Sequence, residues 1–156
     1  MTSTTPAAQE QLTDVRDMYV VHRVFRREFA QIPRLVRTVT PGDTARAGVI
    51  ARHARLILGG LDMHHTGEDA LLWPKLLERA APSADLIHRM EVQHHRVEEL
   101  IAQLNQALPR WEAEARPAVT EEVASTFDAL RFALLEHLDE EERHILPLAE
   151  RHISPQ

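Results

Sequence analysis

Two stretches of the chain carry the same three residue types at the same spacing. In each, a His is followed by a Glu four residues later and by a Pro ten residues later. The two sets are His64, Glu68 and Pro74, and His137, Glu141 and Pro147. Residues four apart on a helix lie on one face, so each stretch can aim an imidazole and a carboxylate into the same space. Both groups are ligands of divalent transition metals. Two such pairs in one small helical protein predict a two-metal site.

Two further His residues lie on apolar helical stripes. His22 is in register with Phe25 and Phe29, and His94 is in register with Val97. If the helices pack antiparallel, the positions of His22, His64, His94 and His137 along the bundle axis differ by roughly 5–10 Å. A single His on an apolar face is usually a core residue, but this whole set would bury several polar groups without partners, and a bound cation offsets that cost. The candidate metal ligands are therefore His22, His64, Glu68, His94, His137 and Glu141.

Four apolar stripes of helical period predict the helices that position these residues. The first helix is expected to begin near Thr13 or Asp14, and Pro33 is expected to kink it without ending it. A turn at residues 40–43 leads into the second helix, with Asp43 as its cap. The inward stripe of the second helix is Ile50, His53, Ile57, Gly60, Leu61, His64, Glu68 and Leu71.

The second half of the chain predicts two more helices. Ser83 is a candidate cap for the third helix. The segment 109–117, around Trp111, is expected to be a polar connection. The fourth helix is expected to begin near Pro117 or Thr120.

The predicted elements and the composition define the fold class and narrow the possible functions. Four long helices with short connections pack most simply as an up-down-up-down antiparallel bundle. We therefore predict an all-α four-helix bundle over residues 12–153, after a disordered tail at residues 1–11. The absence of Cys excludes a thiolate metal site and a cysteine nucleophile. The net charge of −6 argues against nucleic-acid binding, which needs a basic face.

The apolar segments are too short for a membrane protein. No run approaches the roughly 20 apolar residues that cross a bilayer. The first residues lack the basic start and apolar segment of a signal peptide. We therefore expect a cytoplasmic protein that has no membrane partner.

The candidate ligands and the residues around them resemble the hemerythrin-like, or HHE cation-binding, domain family. The resemblance covers nearly the whole chain. The matching motifs are His22 in His-xx-Phe, His64-xxx-Glu68, Leu-Trp-Pro at 72–74, His94, His137-xxx-Glu141 and Ile-Leu-Pro at 145–147. The resemblance implies a four-helix bundle with a non-haem centre of two iron ions, in which the Glu residues bridge the irons and the His residues cap them. Manganese is an alternative, because His and carboxylate ligands suit both metals.

The third helix departs from the pattern of oxygen-carrying hemerythrins, which have two His four residues apart there. Here Glu98 stands four residues after His94, and Met90 stands four residues before it. Either Glu98 or water is expected to take the missing ligand position. We prefer His94 to its neighbour His95 as a ligand. His65 is expected to lie outside the ligand shell, either behind it or on the surface.

The other His residues are not expected to bind the metal. His53 lies three turns before His64, roughly 16 Å away along the helix axis, and is expected to be a core residue. His88, His144 and His152 are expected on the surface.

The resemblance implies two classes of function. In the first, the di-iron centre binds O2, peroxide or NO and turns it over, with catalase-like decomposition of H2O2 as the most natural reaction. In the second, the protein is a non-enzymatic O2 or NO carrier, an iron reservoir or a sensor. A sensor would need a separate partner protein, since no signalling domain is evident. A third interpretation is a helical interaction module that holds a structural metal.

Overall fold

The structure is a computed structural model that describes residues 14–80 and 84–153. Almost all of these residues lie in four helical rods, two of which consist of two α-helices joined by a π turn. The helices are α1 (Arg16–Arg37), α2 (Thr44–Gly67), α3 (Trp73–Arg79), α4 (Ala84–Glu114), α5 (Pro117–Glu140) and α6 (Leu146–His152). One π-helical turn, Glu68–Leu72, joins α2 to α3, and another, Glu141–Ile145, joins α5 to α6. The described residues contain no strand. The predicted all-α, up-down-up-down antiparallel bundle is confirmed.

The rods close around a core that has two parts. Helix α1 packs against α2 and α5, and α4 packs against the same two helices. The larger cluster includes Phe29 and Phe127, whose ring centroids lie 6.4 Å apart. The smaller cluster contains Trp73, Ile87 and Met90. The candidate ligands follow the first cluster along α2 and precede the second, so they form a polar layer between two apolar ones.

Each π turn ends two residues before a Pro. The N–H of Trp73 donates to the carbonyl of Glu68, five residues back. The N–H of Leu146 donates to the carbonyl of Glu141 in the same way. A Pro ring collides with the carbonyl four residues back in a regular α-helix, and the wider π turn relieves that collision. Such single π turns are frequent at functional sites.

The first π turn also corrects the predicted inward stripe of the second helix. An extra residue in the turn rotates the rest of the rod about its axis. Trp73 and Leu76 therefore face inward and are buried, whereas Leu71 is 65% exposed. The expectation that Leu71 and His53 face the core is wrong. The His53 side chain is 43% exposed, and its Nε2 lies 2.8 Å from Glu28 Oε2.

Several predicted helix boundaries agree with the structure. Asp43 caps α2 by accepting a hydrogen bond from the N–H of Arg46 at 2.9 Å. Helix α1 continues through Pro33 to Arg37, and α5 begins at Pro117. The predicted tail at residues 1–11 and the proposed caps Thr13 and Ser83 lie outside the described residues.

The predicted polar connection at residues 109–117 is wrong. Helix α4 continues through Pro109 to Glu114, because the apolar stripe continues to Trp111, which is fully buried. The indole Nε1 of Trp111 donates to Thr120 Oγ1 at 2.9 Å. The chain leaves the helix at Ala115, whose φ of 45° lies in the left-handed region.

Replacing Trp111 tests this correction. Trp111→Ala is expected to lower the free energy of unfolding by about 3–5 kcal/mol, because it leaves a cavity in the core. The matched control is Phe132→Ala: Phe132 is also aromatic but is 76% exposed, and a surface change of this kind is usually within about 0.5 kcal/mol. Urea unfolding at equal metal content measures both. Equal losses would place Trp111 on the surface.

Candidate metal centre

Seven side chains from all four rods converge in the polar layer between the two apolar clusters. They are His22, His64, His65, Glu68, His94, His137 and Glu141. All are buried except His64, whose side chain keeps 11% of its surface exposed. The structure brings together all six candidate ligands and adds His65.

The donor atoms form two groups that share Glu68. The first group is His65, Glu68, His94 and His137, and the second is His22, His64, Glu68 and Glu141. Within each group the donor atoms lie within 4.8 Å of one another. Each group therefore has the size of a shell around one cation.

The two carboxylates face both groups. Glu68 Oε1 lies 3.2 Å from His64 Nε2, and Glu68 Oε2 lies 3.3 Å from His94 Nε2. Glu141 Oε2 lies 3.3 Å from His22 Nε2 and 3.6 Å from His137 Nε2. Carboxylates in these positions can bridge two ions.

Buried atoms without hydrogen-bond partners test whether the residues fit a metal. Both ring nitrogens of His65 and all four carboxylate oxygens of Glu68 and Glu141 are buried and form no hydrogen bond. Burying a polar group without a partner costs roughly 1–3 kcal/mol in protein mutational data, and a charged group costs more. Cations within the two groups would satisfy these atoms, so the residues fit a pair of metal ions.

The contact between His94 and His137 is a second, independent indication that this site fits a cation. His94 Nδ1 donates to Asp69 Oδ1 at 2.8 Å, and His137 Nδ1 donates to Gln93 Oε1 at 3.2 Å. In neutral rings this leaves a lone pair on each Nε2. The two Nε2 atoms lie 3.2 Å apart, and two lone pairs cannot form a hydrogen bond with each other. A shared cation explains this contact.

Burial acts in opposite directions on the imidazoles and on Glu68: it favours neutral rings that can bind metal, but it disfavours the ionised carboxylate. It lowers the pKa of His64 to about 4 and that of His137 to about 3, and it holds the pKa of His65 far below its usual value. Neutral imidazole is the form that binds metal. Burial, together with the charge of Glu141, raises the pKa of Glu68 well above its usual value. Glu68 therefore needs a cation nearby to ionise.

Two acidic residues outside the donor groups orient two of the imidazoles. Each directly follows a ligand Glu in the sequence. Glu142 Oε1 accepts from His22 Nδ1 at 3.0 Å, and Asp69 Oδ1 accepts from His94 Nδ1. Each hydrogen bond fixes the tautomer so that Nε2 faces the centre. Neither residue was predicted as part of the centre, although each motif has an acidic residue directly after its ligand Glu.

His65 lies within one of the two donor groups, so the expectation that it lies outside the ligand shell, either behind it or on the surface, is wrong. It is 2% exposed, and its ring stacks on His94 with centroids 4.1 Å apart. Glu68 comes four residues after His64 and three after His65, and both spacings bring side chains together on a helix. The two imidazoles therefore flank one carboxylate. The pattern His-His-x-x-Glu was the missed signal. The second motif has Leu138 in the corresponding position.

Of the two expected replacements for the missing His on α4, Glu98 or water, Glu98 is wrong. Glu98 is 46% exposed and accepts from His95 Nδ1 at 3.1 Å on the outside of the bundle. His95 is 79% exposed, whereas His94 is buried in the centre. His65 instead provides the third imidazole of its group. The predicted surface positions are confirmed for His88, His144 and His152.

A comparison with known families gives one family model that matches most of the chain. The family model for the hemerythrin HHE cation-binding domain matches residues 13–149, which include every donor of both groups. The chain belongs to this family and is a metal-binding protein. Searches of curated proteins and of solved structures gave no match. Within residues 14–80 and 84–153, no helix is long and apolar enough to cross a membrane.

Replacing His65 tests its assignment to the centre. His65→Ala is expected to weaken metal retention by at least about tenfold, since loss of even an outer partner of a ligand costs about 10–100-fold. The controls are His95→Ala and His53→Ala, whose side chains point outward and whose loss should leave metal content unchanged. Metal analysis after dialysis against a graded chelator gives the comparison. Equal retention by all three variants would remove His65 from the ligand set.

Proposed function

We propose that the protein holds two iron ions in the two donor groups and uses them to bind O2, H2O2 or NO, with decomposition of H2O2 as its reaction. The observation that carries this proposal is the pair of donor groups that share Glu68. Membership of the HHE family supports it. Five imidazoles among seven donor residues favour iron over manganese, because carboxylate-rich and water-rich sites suit manganese better.

The donor groups are unequal, and this inequality suggests where a small molecule binds. If both carboxylates bridge, the ion near His65 has three imidazoles and the ion near His22 and His64 has two. A six-coordinate ion at the second position then has more places for exchangeable ligands. We therefore place the reactive position beside His22 and His64.

A cavity of about 400 Å³ reaches the same side of the centre. His64 and Glu68 line its inner part, and its walls are mostly apolar. Apolar wall residues include Val15, Met18, Leu72, Leu146 and Ile153. Apolar walls admit small neutral molecules and disfavour charged ones, because a charge pays a desolvation cost there. This chemistry suits O2, H2O2 and NO.

The residues of the chain would control chemistry that iron supplies. Bound iron would supply the electrons that O2 and peroxide chemistry needs. The outer acids Asp69 and Glu142 hold the Nδ1 protons of His94 and His22 and add negative charge behind both rings. Added negative charge stabilises the more oxidised ion. This favours a resting oxidised pair and turnover of peroxide over easy release of O2.

Reversible binding of O2 or NO is the second candidate function. His65 provides the imidazole that α4 lacks, so the missing His no longer argues against an oxygen carrier. An apolar cavity next to a centre with five imidazoles also suits a bound molecule that must leave unchanged. An iron reservoir or a sensor with a separate partner protein would use the same centre.

Metal removal tests the proposed pair. We expect two metal ions per chain, about 3.5–4 Å apart as in other two-metal sites. Chelation should lower the melting temperature, because metal that binds only the folded state stabilises it. Glu68→Ala and Glu141→Ala should lower metal content, whereas His144→Ala and His152→Ala should not. A well-loaded sample with one ion or none per chain would contradict the pair.

Addition of peroxide separates the two functions. The iron-loaded protein is expected to rest in an oxidised state and to release O2 from H2O2, as recorded with an oxygen electrode. Optical spectra through cycles of oxygenation and vacuum provide the comparison. A stable oxygenated band that disappears and returns, without peroxide turnover, would establish the carrier instead. Glu98→Ala should leave the spectrum unchanged, because Glu98 faces outward.

A further inference from the structure

Asp69 links the metal centre to a buried indole. Trp73 Nε1 donates to Asp69 Oδ1 at 2.6 Å, and His94 Nδ1 donates to the same oxygen at 2.8 Å. His94 Nε2 then faces Glu68 Oε2 at 3.3 Å. The ring centroids of Trp73 and His94 lie 5.6 Å apart. A short line of hydrogen bonds therefore runs from the indole into the group of three imidazoles.

The surroundings of Trp73 are dry. Its side chain is 1% exposed and packs in the smaller apolar cluster, which includes Leu76, Ile87 and Met90. Water therefore has little access to the ring. The first π turn places the indole here, since it rotates Trp73, the residue directly after the turn, inward.

The other half of the bundle has no indole at the corresponding place and serves as an internal comparison; there the hydroxyl of Tyr19 donates to the backbone carbonyl of Glu142 at 3.5 Å. Leu146 precedes Pro147 there, as Trp73 precedes Pro74. Glu142, the counterpart of Asp69, is met by the guanidinium of Arg26 at 3.1 Å. A guanidinium and an aliphatic side chain cannot give up an electron readily, but an indole can.

We propose that Trp73 donates one electron to the metal centre and that Asp69 accepts the indole proton. The inference rests on the proposed function, since it needs a redox-active metal pair and a peroxide as oxidant. With iron bound, H2O2 would be the oxidant: two electrons from the centre and two protons from solvent would break its O–O bond and give two waters. Trp73 would then donate one electron to the centre. Its Nε1–H bond breaks, the proton moves to Asp69 Oδ1, and a neutral indolyl radical remains.

Compared with its state before peroxide, the metal pair would then lack one electron instead of two. The centre therefore gains access to one-electron chemistry in addition to two-electron turnover. The oxidising equivalent lies on a buried ring, away from the cavity beside His64, so the ligand residues there are spared from oxidation.

The chain contains a matched control for the test. Trp111, the second of its two Trp residues, is also buried, but its indole donates to Thr120. It lies on α4 with His94, roughly 25 Å further along the helix axis. The iron-loaded full chain is mixed with H2O2 and frozen within milliseconds to seconds for electron paramagnetic resonance. Protein grown with ring-deuterated tryptophan identifies an indole radical by its narrowed signal. Iron content and peroxide consumption are measured on the same samples.

A radical signal is expected in the original chain and in Trp111→Phe, and it should fall at least about tenfold per iron in Trp73→Phe. Asp69→Asn should also lower it severalfold, because an amide does not take up the proton. Peptide mass spectrometry of the unaltered chain provides a second readout that does not depend on the folding of any variant. After repeated peroxide additions, oxygen is expected on Trp73 and not on Trp111.

The outcomes separate this inference from the proposed function. Normal iron loading and peroxide consumption without a Trp73 radical or Trp73 oxidation would overturn the electron-donor role and leave the proposed function intact. Equal signals in Trp73→Phe and Trp111→Phe would overturn it as well. Failure to load iron or to consume peroxide would overturn both.

Discussion

Two buried carboxylates among five imidazoles impose the main constraint on this structure. Glu68 and Glu141 have no hydrogen-bond partner for any of their oxygens, and one partnerless buried charge can cost several kcal/mol. A whole domain is stable by only about 5–15 kcal/mol. Cations in this layer would remove that cost. Metal binding would then be coupled to folding, because the same side chains would belong to the metal shell and to the core.

The rest of the fold serves to place these donors. Each His-xxx-Glu pair ends at a π turn, and a Pro follows two residues after each π turn; the wider turn relieves the crowding between the Pro ring and the carbonyl four residues back. The turns direct Trp73 and Leu146 inward to seal one side of the layer. The larger cluster, with Phe29 and Phe127, seals the other side. The repeated outer acids Asp69 and Glu142 show that the two halves share the orientation of their imidazoles as well as the ligand motif.

Much of this arrangement followed from helical periodicity. His22, His94 and the two His-xxx-Glu pairs lie on apolar stripes, so the bundle and six candidate ligands could be predicted from spacing. His65 could not be predicted in this way, because helical periodicity assigns adjacent residues to different faces. Glu68 lies four residues after His64 and three after His65, so both imidazoles can flank its carboxylate. Leu71 was misplaced because periodicity assumes an unbroken α-helix, and the π turn shifts the phase. Trp111 was misplaced because Pro109 was taken as the end of a helix. The links from Asp69 to His94 and Trp73 are tertiary or side-chain contacts that sequence spacing does not specify.

Anomalous X-ray diffraction at the iron edge, from crystals of the iron-loaded protein, tests the central claim most directly. The account predicts two peaks about 3.5–4 Å apart with Glu68 between them. One peak should lie among His65, His94 and His137, and the other beside His22 and His64, because those are the two donor groups. A single peak, or iron bound only at exposed His residues on the outside of the bundle, would contradict the account.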